Sequence, residues 1–178
     1  MKTRLLVLST TFALAACSGG GSGSKAPVGG SSLDLNAQFI DAPVNGVTYS
    51  ILGSEVVGKT KDAGNLKCRL GETLRFEIGK AGKGLLLGTA PCGERMFIHN
   101  LDTASDDNKV KEIAAILQSI APPQGSGTNA RMQIPAEVSD LDFEAAGLPQ
   151  TIAAVGVDGS DDADAPTAFI TSLNTAAS

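Results

Sequence analysis

His99 is the only imidazole in this chain of 178 residues, and it bounds how much acid–base chemistry the sequence can host. Hydrolysis by an activated serine or cysteine needs a base beside the nucleophile and an acid that orients the base. No serine lies in a Gly-x-Ser-x-Gly elbow, and His99 adjoins Asn100 at the end of an apolar strand pattern, the setting of a hydrogen-bonded structural residue. Gly79-Lys-Ala-Gly-Lys-Gly84 places two lysines among glycines, as a phosphate loop would, but Leu85 follows where Lys and Ser/Thr are required. That stretch reads as a hairpin turn. The expectation is a protein that is not an enzyme, with no catalytic residue assigned.

The other chemistry-bearing stretch is Asp158-Gly-Ser-Asp-Asp-Ala-Asp164. Oxygen-bearing side chains at Asp158, Ser160, Asp162 and Asp164 alternate as they do at the start of a calcium loop. Ala163 occupies the place of the EF-hand glycine, and Phe169 that of the bidentate glutamate. The reading is a solvated acidic loop that also caps a following helix, with no metal and no cofactor. Calcium binding is the rival.

At the start of the chain Lys2 and Arg4 precede an uncharged run from Leu5 to Ala16. A cationic n-region before an apolar stretch of about 7–15 residues is the pattern of a secretory signal peptide, and it falls short of the roughly 20 residues a membrane span needs. The run ends in Leu14-Ala15-Ala16-Cys17, which resembles the lipobox of bacterial lipoproteins. The resemblance implies cleavage before Cys17 and fatty acylation of it, with groups such as palmitate, as the only covalent addition. Ser18, rather than an Asp, follows the cysteine, which in that family favours the outer membrane on an undetermined face. The Gly/Ser-rich stretch from Ser18 to Ser24 has the composition of a flexible tether. Residues 1–16 are therefore expected to be signal peptide and residues 17–35 lipid anchor and spacer.

Processing would remove two cations and no anion, leaving 12 Lys and Arg against 19 Asp and Glu, a net charge near −7. An acidic chain offers no electrostatic footprint for nucleic acid. With Cys17 given to lipid, Cys68 and Cys92 remain as an even pair in an exported, oxidising compartment. A disulfide between them is expected; the alternative is two unpaired buried thiols. A zinc site would lack ligands, since structural zinc usually takes four nitrogen or sulfur donors.

From about Ala37 to Leu101 the pattern is that of short strands. Val47, Tyr49 and Ile51 share one face, and Leu74, Phe76 and Ile78 another, with Thr73, Arg75 and Glu77 turned away. Asp62-Ala-Gly-Asn65 supplies a turn between Val56-Val57 and Leu66-Lys67-Cys68. After Leu101 the period lengthens: Val110, Ile113, Ala114, Leu117 and Ile120 or Ala121 predict a helix that begins after the Asp102–Asn108 cap region and stops at Pro122-Pro123. Ser139 is read as the cap of a short helix ending at Gly147, with Leu141 and Ala145 inward, and residues 165–176 as a last helix carrying Phe169, Ile170 and Leu173.

Phe39-Ile-Asp-Ala-Pro-Val-Asn-Gly-Val-Thr-Tyr49, the Thr60–Asn65 turn, Gly71-Glu-Thr-Leu-Arg-Phe-Glu-Ile-Gly79 with Leu87-Gly88, and the Ala115-Ile-Leu-Gln-Ser119 stretch together resemble an N-terminal module of proteobacterial surface and adhesin-like lipoproteins. The likeness covers about 80 of the 178 residues, and Cys68 and Cys92 depart from its pattern. The expected fold is mainly β with α: a small immunoglobulin-like or prealbumin-like β-sandwich over residues 36–101, followed by a helical segment over 102–178 packing on it. The expected role is a non-catalytic binding, structural or adhesion module of the cell envelope, held to a membrane by its lipid and engaging a protein or surface polymer. The alternatives are a small-ligand-binding or calcium-dependent envelope protein, or an envelope enzyme.

Overall fold

The computed structural model describes residues 34–40, 43–125, 130–156 and 165–178. Cys17 and the Asp158–Asp164 stretch, with its oxygen ligands Asp158, Ser160, Asp162 and Asp164, lie outside the described residues. The molecule is β-rich with a few helices. In chain order it has β1 (Asp34–Ile40), β2 (Val44–Asn45), β3 (Thr48–Ile51), β4 (Val57–Lys59), β5 (Asn65–Arg69), β6 (Thr73–Ile78), β7 (Leu85–Pro91) and β8 (Arg95–Phe97). A 3₁₀ turn (Ile98–Asn100) leads to α1 (Asp107–Ile120), β9 (Met132–Gln133), α2 (Ala136–Ser139), α3 (Ile152–Val155) and α4 (Ala165–Ala176). β1 begins two residues before the expected boundary at residue 36: Asp34 and Leu35 already pair with Arg69 and Cys68.

The strands form a three-stranded sheet in the order β5-β1-β8, a four-stranded sheet in the order β4-β3-β6-β7, and a two-stranded pair β2-β9. β1 is antiparallel to β5 and parallel to β8. β3 lies antiparallel between β4 and β6, and β6 and β7 make a hairpin through Gly79–Gly84 as the glycine-lysine stretch predicts. Side chains of the two larger sheets meet in one core. Phe39 of β1 and Phe76 of β6, both fully buried, stack with ring centroids 4.8 Å apart. The Cys68–Cys92 disulfide, with Cα atoms 6.0 Å apart, ties β5 to the residue that follows β7, and so joins the two sheets covalently.

Strand alternation holds along β5, while in β3 the expected inward face is buried but Thr48 of the other face is buried too, its hydroxyl donating to the Gly79 carbonyl at 2.6 Å. Val47, Tyr49 and Ile51 are buried, and along β5 Leu66 and Cys68 are buried while Asn65, Lys67 and Arg69 are exposed. Glu77 departs from expectation. It is fully buried, with its carboxylate accepting from Arg75 Nη2 at 2.9 Å and from the Gly82 N–H at 2.8 Å. The β6–β7 hairpin folds over the strand face that was read as solvent, and its backbone supplies the donor a buried carboxylate requires.

α1 keeps the predicted face. Asp106 is its N-cap and accepts the Asn108 and Lys109 N–H groups at 2.9 and 3.0 Å. Ile113, Ile116, Leu117 and Ile120 are buried, and Ala121 ends the helix before the two prolines. Ser139 is not a cap, and the short helix expected after it is absent: residues 143–147 form turns. Ser139 ends α2, and its buried hydroxyl donates to the Gly46 carbonyl at 3.1 Å. Asp142 takes the local capping role instead, accepting the Ala145 N–H at 2.9 Å, while Ala145 itself is exposed. That hydrogen bond, aided by the nearby Lys83 and Lys80 ammonium groups, holds the Asp142 carboxyl below the usual carboxylate range. Phe143 then packs over Gly79: a Cβ there would lie 2.7 Å from the ring, so only glycine fits. Phe143 also meets Phe169 of α4, with centroids 6.4 Å apart, and α4 packs against α1. Among the described residues no helix is long and apolar enough to cross a membrane.

Candidate functional site

β4 and β5 follow each other in sequence, yet each is the outermost strand of a different sheet. The Thr60–Gly64 turn that joins them therefore crosses from one sheet to the other at the side of the molecule. Thr60 makes this crossing possible. Its buried hydroxyl donates to the Val44 carbonyl at 2.6 Å and accepts the Val47 N–H at 3.0 Å. Its own N–H donates to Val47 O, and its carbonyl accepts from Gly46 N, both at 2.9 Å. Asp62 and Ala63 beyond it adopt the left-handed region, with φ of 46° and 72°, a conformation that costs non-glycine residues about 1–2 kcal/mol each. Removing the hydroxyl in Thr60→Val should leave the Val44 and Val47 groups unpaired and lower stability by about 1–3 kcal/mol. Urea unfolding checks this; an unchanged midpoint would show that the turn does not depend on the hydroxyl.

Between the two outer strands runs a groove of about 670 Å³. Tyr49 forms part of its wall. Gly58 lies opposite Tyr49 across the β3–β4 ladder, and a Cβ there would come within 2.6 Å of the Tyr49 ring and hydroxyl. The missing side chain lets the phenol lie across β4 toward the groove. Lys59, Lys61 and Lys67 also line it, with Asn36 and Asn65 contributing amides, against a single acidic residue, Asp62. Lys59 is partly neutralised by its ion pair with Asp140 at 2.5 Å. Lys61 and Lys67 are exposed and form no salt bridge among the described residues. Lys59, Lys61 and Asp62 also border a second cavity of about 380 Å³ that extends past Thr60 to Gln133 and Ser139, so the basic surface continues around the turn.

The chemistry this arrangement can do is recognition. Ammonium groups, amides and one phenol donate hydrogen bonds to carboxylate, phosphate or hydroxyl groups. A third cleft, of about 620 Å³, lies between residues 146–155 and α4. Among the described residues it is lined by Leu148, Val155 and Phe169 with small hydroxyl residues and by no titratable side chain.

The residues singled out in the sequence fall apart in space. Cys68 and Cys92 are joined as expected. His99 is exposed in the 3₁₀ turn with its ring stacked on Phe97 at 5.1 Å, and it lines none of these three cavities. Among the described residues no group of three or more His, Cys, Asp or Glu is placed to hold a metal ion. The groove lysines were not singled out beforehand, although Lys59, Lys61 and Lys67 flank one turn in an otherwise acidic chain. Comparison with family models, curated proteins and solved structures finds no match to this chain.

Proposed function

We propose that the protein is an envelope lipoprotein, cut before Cys17 and held on the outer membrane by lipid on that residue, whose exported part is a non-catalytic binding module. In this reading the two larger sheets form an immunoglobulin-like or prealbumin-like sandwich with a helical appendage, and the ligand is an acidic surface polymer. The observation that carries the reading is the lysine-lined groove between β4 and β5, a basic site on an acidic chain. Such a site gives local attraction where the net charge would give repulsion, so an acidic ligand binds there or not at all.

The test is retention of the native protein on immobilised acidic envelope polymer, compared with the Lys61→Glu/Lys67→Glu variant. Exposed ion pairs contribute up to about 1 kcal/mol each, so reversing both charges should weaken binding about tenfold or more and flatten its salt dependence. Equal retention of the variant at low salt would sink the proposal. Mass spectrometry of the native envelope protein should show an acylated N-terminal Cys17, and an intact Met1 would overturn the anchor.

A further inference from the structure

All of the large, strongly exposed hydrophobic side chains among the described residues lie on two neighbouring connections and the first residue of the strand beside them. They are Leu52 (51% exposed), Val56 (50%), Val57 (56%) and Leu70 (67%). Leu52 and Val56 belong to the β3–β4 connection, Val57 is the first residue of β4, and Leu70 lies in the β5–β6 turn. A hydrogen bond places the two connections side by side, with Leu52 N donating to Thr73 O at 2.9 Å, while Glu72 N closes the turn that carries Leu70 by donating to Arg69 O at 3.0 Å. Single exposed aliphatic residues are ordinary, but a group confined to one end of a domain marks a contact surface.

The same end is where the preceding chain joins the fold. Asp34, the first residue of β1, is the register partner of Arg69 and binds its Nε at 2.9 Å, one residue from Leu70. Sixteen residues separate Cys17 from Asp34. For a random coil of that length the root-mean-square span is roughly 20–24 Å, less than the width of a bilayer with its headgroups. The groove extends toward the opposite end, where Lys61 and Asp62 occupy the β4–β5 turn.

We infer that this apolar end is a membrane-docking face, on which the anchored domain rests its Leu52, Val56, Val57 and Leu70 side chains against the bilayer and turns the groove outward. The inference rests on the lipid-anchor reading. The charged residues around the patch select the kind of surface. Asp34 and Glu72 are both engaged with Arg69, the latter accepting the Arg69 N–H at 2.7 Å, and Glu55 adds another anion. The surroundings are acidic, so the partner is a zwitterionic phospholipid surface rather than an anionic one.

The chain contains no tryptophan, so one introduced residue reports alone. The acylated, processed protein carrying Leu70→Trp is reconstituted into phosphatidylcholine–phosphatidylethanolamine vesicles with brominated acyl chains. Lys80→Trp, in the β6–β7 hairpin at the far end, is the comparison. Docking predicts a blue shift and loss of most emission at position 70, with neither change at position 80, and weaker quenching when anionic lipid is added. If acylated protein stays on the vesicles and position 70 is quenched no more than position 80, the docking face is overturned while the anchor stands. If the protein lacks acyl groups and does not associate with vesicles, anchor and docking face fall together. Leu52→Ser/Leu70→Ser should remain vesicle-bound through its lipid, and a Val57→Trp reporter in that background should lose the quenching it shows alone.

Discussion

Phe76→Ala should destabilise the domain by about 3–5 kcal/mol, the range for removing a large aromatic from a packed core. The residue is wholly buried. Its ring stacks on Phe39 of the other sheet, and across the strands it faces Tyr49 on one side and Gly88 on the other. Gly88 offers no side chain to close the space, and Phe39 is held in its own sheet by the pairing of β1 with β5 and β8. A cavity left there has little to collapse into it. Since single domains are usually stable by about 5–15 kcal/mol, the variant should unfold at much lower urea concentration, and Phe76→Leu should recover most of the loss. A Phe76→Ala midpoint equal to that of the native protein would show that the two sheets do not depend on a shared core.

The disulfide ranks next. Cys68 and Cys92 are 24 residues apart in sequence, and linking them removes chain entropy from the unfolded state worth on the order of 3 kcal/mol. In a domain of this size that corresponds to a melting temperature lowered by about 10 °C in Cys68→Ala/Cys92→Ala. The double variant is the proper comparison, because a single substitution leaves a reactive thiol. Calorimetry with and without reductant supplies the check: the native protein should approach the variant when reduced, and the variant should not respond. A native melting temperature insensitive to full reduction would show that the sheets hold together without the covalent link.

Local pattern was legible in the sequence wherever one residue's neighbours along the chain decide its environment. The period of two along β5, the burial of Val47, Tyr49 and Ile51 and of Leu74, Phe76 and Ile78, and the 3.6-residue period of α1 follow from burying one face of a regular element. Asp106, Ala121 and the prolines bound α1 by local chemistry alone. What escaped was decided by distant segments. Glu77 lies on the polar side of its strand, and the hairpin turn that follows covers it, with the Gly82 N–H five residues on as its donor. Ser139 has the right chemistry for a cap, but Gly46, far away in sequence, provides a buried acceptor. The groove arises because β4 and β5 part into different sheets, and no periodicity in residues 57–69 encodes that. The four exposed aliphatic residues look like ordinary core candidates until the segments that carry them are seen at one end. The disulfide was legible only through a chain of inference that began with Cys17.

The order β5-β1-β8 also bears on how the domain withstands pulling. If the domain is held through the residues before Asp34 and a ligand binds at Lys61 and Lys67, as proposed, tension enters the central strand of that sheet at one end and the start of β5 at the other. The two strands are antiparallel and their connecting hydrogen bonds lie across the line of force, so the ladder from Asp34–Arg69 to Gln38–Asn65 is loaded in shear. Rungs loaded in this way share the strain and yield together, whereas a ladder pulled from one end opens rung by rung. The Cys68–Cys92 bond passes part of the load directly into the second sheet. In that proposed arrangement the domain is strongest along the axis that runs from Asp34 to the groove.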